Sequence, residues 1–183
     1  MPKVSDLGID LGTSHVLIYM RDRGIVLREP AVVAIEHDSR ELLAVGEDAY
    51  RMIGRTPGNV VALRPLQNGT MVDFELCRRM LQYFVSKVVG RRLFARPRAV
   101  MSVPTKIIDI EKRALINAMF DSGMRKTELL ERPIAAALGI GLPFEKTYGT
   151  MVVDIGAGAM DAAVLSMGQI AISNTVPFGG DQF

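Results

Sequence analysis

Two aspartates stand near the ends of short apolar runs, each followed after one residue by a glycine: Leu7-Gly8-Ile9-Asp10-Leu11-Gly12 and Met151-Val152-Val153-Asp154-Ile155-Gly156. A brief turn follows each, Gly12-Thr13-Ser14 in the first copy and a Gly156-Ala157-Gly158 stretch in the second. An apolar segment then returns, over 15–20 or 162–167. This internal repeat suits phosphate chemistry. Glycine allows close backbone approach, so that amide groups can face a phosphate oxygen. The aspartate at each strand end then faces a divalent cation or its water shell. Magnesium keeps several waters and takes only one or two carboxylates, which makes Asp10 and Asp154 candidates for contact through water. A lone Asp-x-Gly is an ordinary turn in most proteins; two copies in corresponding places are far more specific.

Other phosphate motifs are absent. The sequence has no GxxxxGK[ST], which excludes a P-loop. Gly156-Ala157-Gly158 partly imitates a dinucleotide fingerprint, but it leads into a strand where that fingerprint needs a helix N-terminus. A different chemistry is suggested at 87–98, where Leu93 and Phe94 lie among Lys87, Arg91, Arg92, Arg96 and Arg98, bounded by Gly90 and Pro97. This reads as an apolar wedge for a lipid interface, with each basic neighbour contributing about 1 kcal/mol near anionic lipid. The plainer reading is that the two apolar side chains cover a sheet edge while the arginines are solvated.

The elements that must position these groups are alternating. Strands are expected at 4–11, 15–20, 24–28, 31–36 and 42–45, with a short helix over 46–53 and a loop over 54–59. Asp73 is placed to cap a helix over 74–89, whose Leu76, Met80, Leu81, Phe84 and Val88 recur at helical spacing. Beyond it the pattern becomes strand–helix alternation. A strand over 99–103 precedes a helix capped by Asp109 and running to about 120. A strand over 127–130 then leads to a helix with Pro133 in its first turn. Strands over 151–155, 162–167 and 169–176 close the chain. Hairpins first and crossovers later imply a mixed sheet in an α/β fold.

Composition narrows the class. The 183 residues are 49% apolar and 23% charged, as expected of a globular chain. A net charge of +2 argues against a general nucleic-acid binder. The single Cys77 excludes an internal disulfide and, with only His15 and His37, leaves little for a zinc centre. No apolar run reaches the roughly 18 residues of a spanning helix. Asp6 and Asp10 interrupt the order of a signal peptide, so a soluble cytoplasmic protein is expected.

The segments GIDLGTSHVLIY, GIVLREPAVVAI, AVGEDAYRMIGRTPGN, the PT of SVPTKI, ERPIAAALGIG and VVDIGAGAMDAAVLS occur in an order that resembles the MreB family of bacterial actin-like proteins. The resemblance implies an actin-like, ribonuclease H-like mixed sheet flanked by helices, with ATP and magnesium in a cleft. It divides the chain into a large subdomain (1–32 and 67–145), a small inserted subdomain (33–66) and the incomplete start of a second domain (146–183). It places Asp10, Gly12, Thr13, Ser14 and His15 in one phosphate loop, and Asp154, Gly156, Ala157, Gly158 and Ala159 in the other. It also implies self-assembly into filaments at the inner face of the membrane, an anionic lipid contact at Leu93 and Phe94, and the wall-synthesis machinery as partner. The alternative within the same superfamily is a sugar-kinase-like phosphotransferase. That needs a further carboxylate to activate a substrate hydroxyl, which the sequence does not offer. The resemblance covers the first half of such a protein, so a fragment or a truncated product is expected.

Departures from the family pattern concern hydrolysis. The second loop reads DIGAGAMD where the family resembles DIGGGTTD, so Ala159 and Met160 replace hydroxyls. Glu131-Arg132-Pro133 stands where the family resembles Glu-Glu-Pro, and the carboxylate before that proline is the one implied to orient the attacking water. Guanidinium donates but cannot accept, and Glu131 points to the other face of an extended segment. Asp154 and Glu131 remain the candidate catalytic groups, and ATP binding with weak hydrolysis is expected. The plainer alternative is that Arg132 is a solvated surface residue.

Overall fold

The computed structural model describes residues 6–55, 58–90 and 96–183. The strands are β1 (Leu7–Leu11), β2 (His15–Met20), β3 (Gly24–Pro30), β4 (Val33–Glu36), β5 (Leu42–Val45) and β6 (Val60–Leu63). They continue with β7 (Leu66–Gln67), β8 (Thr70–Met71), β9 (Arg98–Val103), β10 (Lys126–Glu131), β11 (Thr150–Ile155), β12 (Met160–Ser166) and β13 (Gln169–Val176). The helices are α1 (Glu47–Tyr50), α2 (Phe74–Val89), α3 (Asp109–Asp121) and α4 (Arg132–Gly139).

The central sheet has the order β10-β9-β1-β2-β3. Strands β10, β9 and β1 run parallel, while β1-β2 and β2-β3 are antiparallel hairpins. Its alternation is plain in β1, where Leu7, Ile9 and Leu11 are buried while Asp10 is exposed. The buried face belongs to one core with Leu76, Met80, Leu81 and Phe84 of α2 and Leu115 and Met119 of α3. Each such side chain contributes about 1.5–3 kcal/mol on burial. Asp73 caps α2 as its sequence implies, accepting from the Leu76 amide at 3.0 Å.

Two smaller sheets flank this one. Strands β5-β4-β6 form the first, over a core of Val32, Ala34 and Ala49. Strands β11-β12-β13 form the second, with α4 packed on it through Ala137 against Val152, Ala163 and Leu165. Strand β13 is an edge of that sheet.

Four local expectations need correction. Asp109 does not cap α3 but is its first residue; Ile108 is the cap, and Glu111 reaches back to accept its amide at 3.2 Å. The helix expected over 46–53 is only Glu47–Tyr50, with a turn continuing behind it. Strand β6 and the β7–β8 hairpin went unnoticed between the expected loop and α2. Finally, β12 begins at Met160, two residues before the expected 162, which brings Asp161 into the strand opposite Asp154. Leu93 and Phe94 lie outside the described residues.

Candidate functional site

The carboxyl ends of β1, β9 and β10 lie along one edge of the central sheet, where ligands collect in open α/β folds. The parallel register sets Asp10 beside Ser102, whose hydroxyl donates to the Asp10 carboxylate. At the end of β10 the chain turns into α4. Glu131 is the extended cap, Arg132 the first helical residue and Pro133 the second, where a missing amide hydrogen costs nothing.

The internal repeat is structural as well as sequential. The Gly12 amide donates to the His15 carbonyl at 3.0 Å, and the Gly156 amide donates to the Ala159 carbonyl at 2.9 Å. A Cβ at Gly12 would lie 2.8 Å from the His15 oxygen, and one at Gly156 would lie 3.0 Å from the Ala159 oxygen. The Gly12 turn is therefore closed too tightly for a side chain, and the Gly156 turn would have to give by a few tenths of an ångström to admit one. They face each other closely as well, since a Cβ at Gly158 would lie 2.8 Å from the Thr13 side chain.

The two turns line one open cleft of about 360 Å³, together with Asp10, Ser14, His15, Leu17, Arg132, Asp154 and Ala157. Every residue expected to contact phosphate is thus brought together. Glu131 is not among the lining residues, whereas Arg132 is. The Arg132 side chain is only 13% exposed, which removes the reading of a solvated surface arginine. Its guanidinium donates to the Leu11 carbonyl at 3.2 Å and lies 3.7 Å from the Asp161 carboxylate. It therefore touches the first hairpin and the second at once.

Asp161 is 2% exposed and its other anchor is the Thr175 hydroxyl, 2.5 Å away, which in turn meets Thr105 at 3.1 Å. Its backbone pairs directly with that of Asp154 across the β11–β12 ladder, so two carboxylates occupy adjacent positions on one face. Burial pushes the Asp154 carboxyl above its ordinary range. Arg132 pulls it down, while the charges of Asp10 and Asp161 push it further up.

Two supports escaped the sequence reading. Asn68 and Gly69 form a two-residue hairpin loop between β7 and β8, both with positive φ, as a type I′ turn requires. The Gly69 amide donates to the Thr13 hydroxyl at 3.2 Å, and a Cβ there would lie 2.7 Å from that of Ala159. The Asn-Gly dipeptide was the available signal. The second support is the turn Gly179-Gly180-Asp181. The Gly180 amide takes the Gly156 carbonyl at 2.9 Å, and the Asp181 amide takes the Ala157 carbonyl at 2.8 Å. In a trans peptide the next N–H points opposite to its carbonyl. Tying back these two carbonyls therefore aims the Ala157 and Gly158 amides away from that turn. No acceptor among the described residues takes either amide.

These free amides and glycine turns fit the phosphates of a nucleotide. The acidic groups fit a cation held through water by Asp10 and Asp154. Among the described residues no three acidic, histidine or cysteine side chains converge into a metal cage. No helix is long and apolar enough to cross a membrane among the described residues.

A family model described as MreB/Mbl protein matches residues 4–183. The cell shape-determining protein Mbl of Bacillus subtilis is 48% identical over 178 residues, covering 97% of this chain and 54% of the relative. The chain thus spans about half the length of the curated relatives it matches. Among solved structures, the MreB5 of Spiroplasma citri bound to ADP superimposes with a TM-score of 0.87 at 29% identity, covering 98% of this chain and 54% of the other. A MamK double helical filament gives 0.79 at 25% identity, covering 97% and 55%. The fold is actin-like, and the chain belongs to the MreB/Mbl family.

Proposed function

We propose that this chain is the phosphate-gripping first half of a nucleotide-dependent, actin-like filament protein that determines cell shape. The observation that carries the reading is the convergence of two equivalent glycine turns on one cleft, with an aspartate beside each. The likeness to Mbl supports the cell-shape role, the ADP-bound MreB5 supports a nucleotide, and the MamK filament supports self-assembly. In this reading the amides of Thr13, Ser14, Ala157 and Gly158 receive phosphate oxygens. Asp10 and Asp154 orient the waters of a magnesium ion, which supplies charge neutralisation. Hydrolysis is weak, because Arg132 occupies the cleft where a carboxylate is needed to orient water.

The test uses a protein that joins this chain to a complete second half. Asp154→Asn is expected to weaken Mg-ATP binding about tenfold or more, the scale of one charged contact, with folding intact. Titration with a fluorescent ATP analogue at fixed magnesium gives the answer. Unchanged affinity removes Asp154 from the site.

The membrane belongs to the same reading. Leu93 and Phe94, with the basic residues around them, dock the filament on anionic lipid at the inner face of the cell membrane, where wall-synthesis proteins are organised. Replacing both by serine is expected to cut co-sedimentation with anionic liposomes severalfold, with little binding to neutral liposomes throughout. Equal binding of variant and parent removes Leu93 and Phe94 from the lipid contact.

A further inference from the structure

We propose that the open pocket between the β2–β3 hairpin and the end of α2 binds one phospholipid headgroup, an anionic phosphodiester that carries no ammonium. The inference rests on the membrane reading above. It adds a second lipid contact, separate from Leu93 and Phe94, and names the lipid chemistry.

The pocket lies at the end of the central sheet opposite the cleft. Strand β1 starts there, with Leu7 paired to Met20 of β2 and to Ala99 of β9. The β2–β3 turn therefore sits beside the start of β9 at Arg98. Lys87 and Val88, from the last turn of α2, line the pocket together with Met20 and Arg23. The segment that carries Leu93 and Phe94 joins α2 to β9, so both of its ends are at this end of the sheet. A lipid surface met by that segment is within reach of the pocket.

The pocket holds about 400 Å³, and its lining suits an amphiphile. Its apolar side is made by Met20 and Leu27, which are buried, and by Val26 and Val88, which are partly so. Its polar side has three cations and one carboxylate, Glu29. That carboxylate is engaged at both oxygens. One accepts from Lys87 Nζ at 2.6 Å and the other from the Glu47 amide at 2.9 Å. Lys87 and Glu29 thus neutralise each other. Arg23 and Arg28 are exposed, and neither lies within ion-pair distance of a carboxylate among the described residues. The Arg23 guanidinium reaches the Met20 sulfur at 3.9 Å, so its head lies against the apolar lining.

Two uncompensated guanidiniums beside apolar side chains fit a phosphodiester and the root of its acyl chains. The same charge balance selects the headgroup. Serine or ethanolamine brings an ammonium, and the one carboxylate that could accept it is already taken by Lys87. A glycerol headgroup brings no cation.

The test uses the 183-residue chain and liposomes of phosphatidylglycerol or phosphatidylserine, each diluted with phosphatidylcholine to the same surface charge. The parent is expected to bind phosphatidylglycerol about fivefold more tightly or better, whereas charge alone makes the two equal. Arg23→Lys with Arg28→Lys keeps the charge, loses the planar fork and is expected to bind both lipids alike. Leu93→Ser with Phe94→Ser weakens binding to both and keeps the preference. In solution, dihexanoyl-phosphatidylglycerol below its micelle concentration is expected to shift the methyl NMR signals of Met20, Val26 and Val88. Free glycerol phosphate, which lacks the acyl chains, is expected to do so about tenfold more weakly or less. Equal parent binding to the two anionic liposomes overturns the inference and leaves the membrane reading standing. A preference that survives the double lysine variant, or an absence of methyl shifts, does the same. Glycerol phosphate as potent as the lipid also overturns it, because the pocket then takes a soluble phosphate. Absence of binding to any anionic liposome rejects the membrane reading and the inference with it.

Discussion

In a protein that joins this chain to a complete second half, Arg132→Glu with Ala159→Thr is expected to raise single-turnover ATP hydrolysis about 10²–10⁴-fold, the usual worth of a positioned acid–base group. The parent should bind ATP and convert it very slowly. The reason is the chemistry of one position. Arg132 begins α4 at the carboxyl end of β10, and its side chain enters the cleft. A guanidinium cannot accept a hydrogen bond from an attacking water, and Glu131 does not line the cleft to replace it. Arg132→Glu supplies the acceptor. Ala159→Thr restores a hydroxyl on the second turn, at a buried position packed against Gly69. The experiment is run at saturating ATP and magnesium, so that weaker binding of the variant does not mask faster chemistry. A double variant with no gain, or a parent as fast as the variant, sinks the weakened-ATPase reading.

How much of this was legible in the sequence varies with the range of the interactions. The repeated Asp-x-Gly turns were readable because a strand end and a glycine turn are local features, and their duplication is visible by inspection. Cap and helix of α2 were equally readable, since Asp73 and the apolar spacing that follows lie within a few turns of each other. Asp161 was missed as a working residue for a physical reason. A buried carboxylate looks like a turn residue until its partners are known, and Arg132 and Thr175 come from other elements. The same blindness explains Asp109: it is the first helical residue and not the cap, because Glu111 accepts the Ile108 amide and the helix starts one residue earlier than expected. The Asn68-Gly69 hairpin carried a strong local signal that was overlooked. Its contact with Thr13 and Ala159 joins segments 56 or more residues apart, and no periodicity encodes such a meeting.

Gly179→Ala is expected to disable the second phosphate turn although residue 179 lies outside the cleft lining. Gly179 has an extended backbone with φ −158, so backbone freedom is not the reason for glycine here. Space is. A Cβ would lie 2.5 Å from the Gly156 oxygen and 2.6 Å from the Ala157 oxygen, distances that real Cβ atoms essentially never show. Both obstacles are backbone, so no side chain can swing aside. The Gly179–Asp181 turn must lift away, and with it go the 2.9 Å bond to Gly156 and the 2.8 Å bond to Ala157. Overpacking of this kind costs about 1–3 kcal/mol, and each lost hydrogen bond adds about 0.5–1.5 kcal/mol. The released carbonyls would no longer fix the peptide planes that aim the Ala157 and Gly158 amides. Tripolyphosphate affinity should therefore fall by more than tenfold, alongside a lower urea midpoint. Gly139→Ala is the control: nothing lies within 4 Å of its Cβ, and a helical alanine is favoured over glycine by about 1 kcal/mol. Stability and phosphate affinity should survive there. If Gly179→Ala behaves like Gly139→Ala, the tie between the Gly179–Asp181 turn and the phosphate turn does not set the direction of those amides.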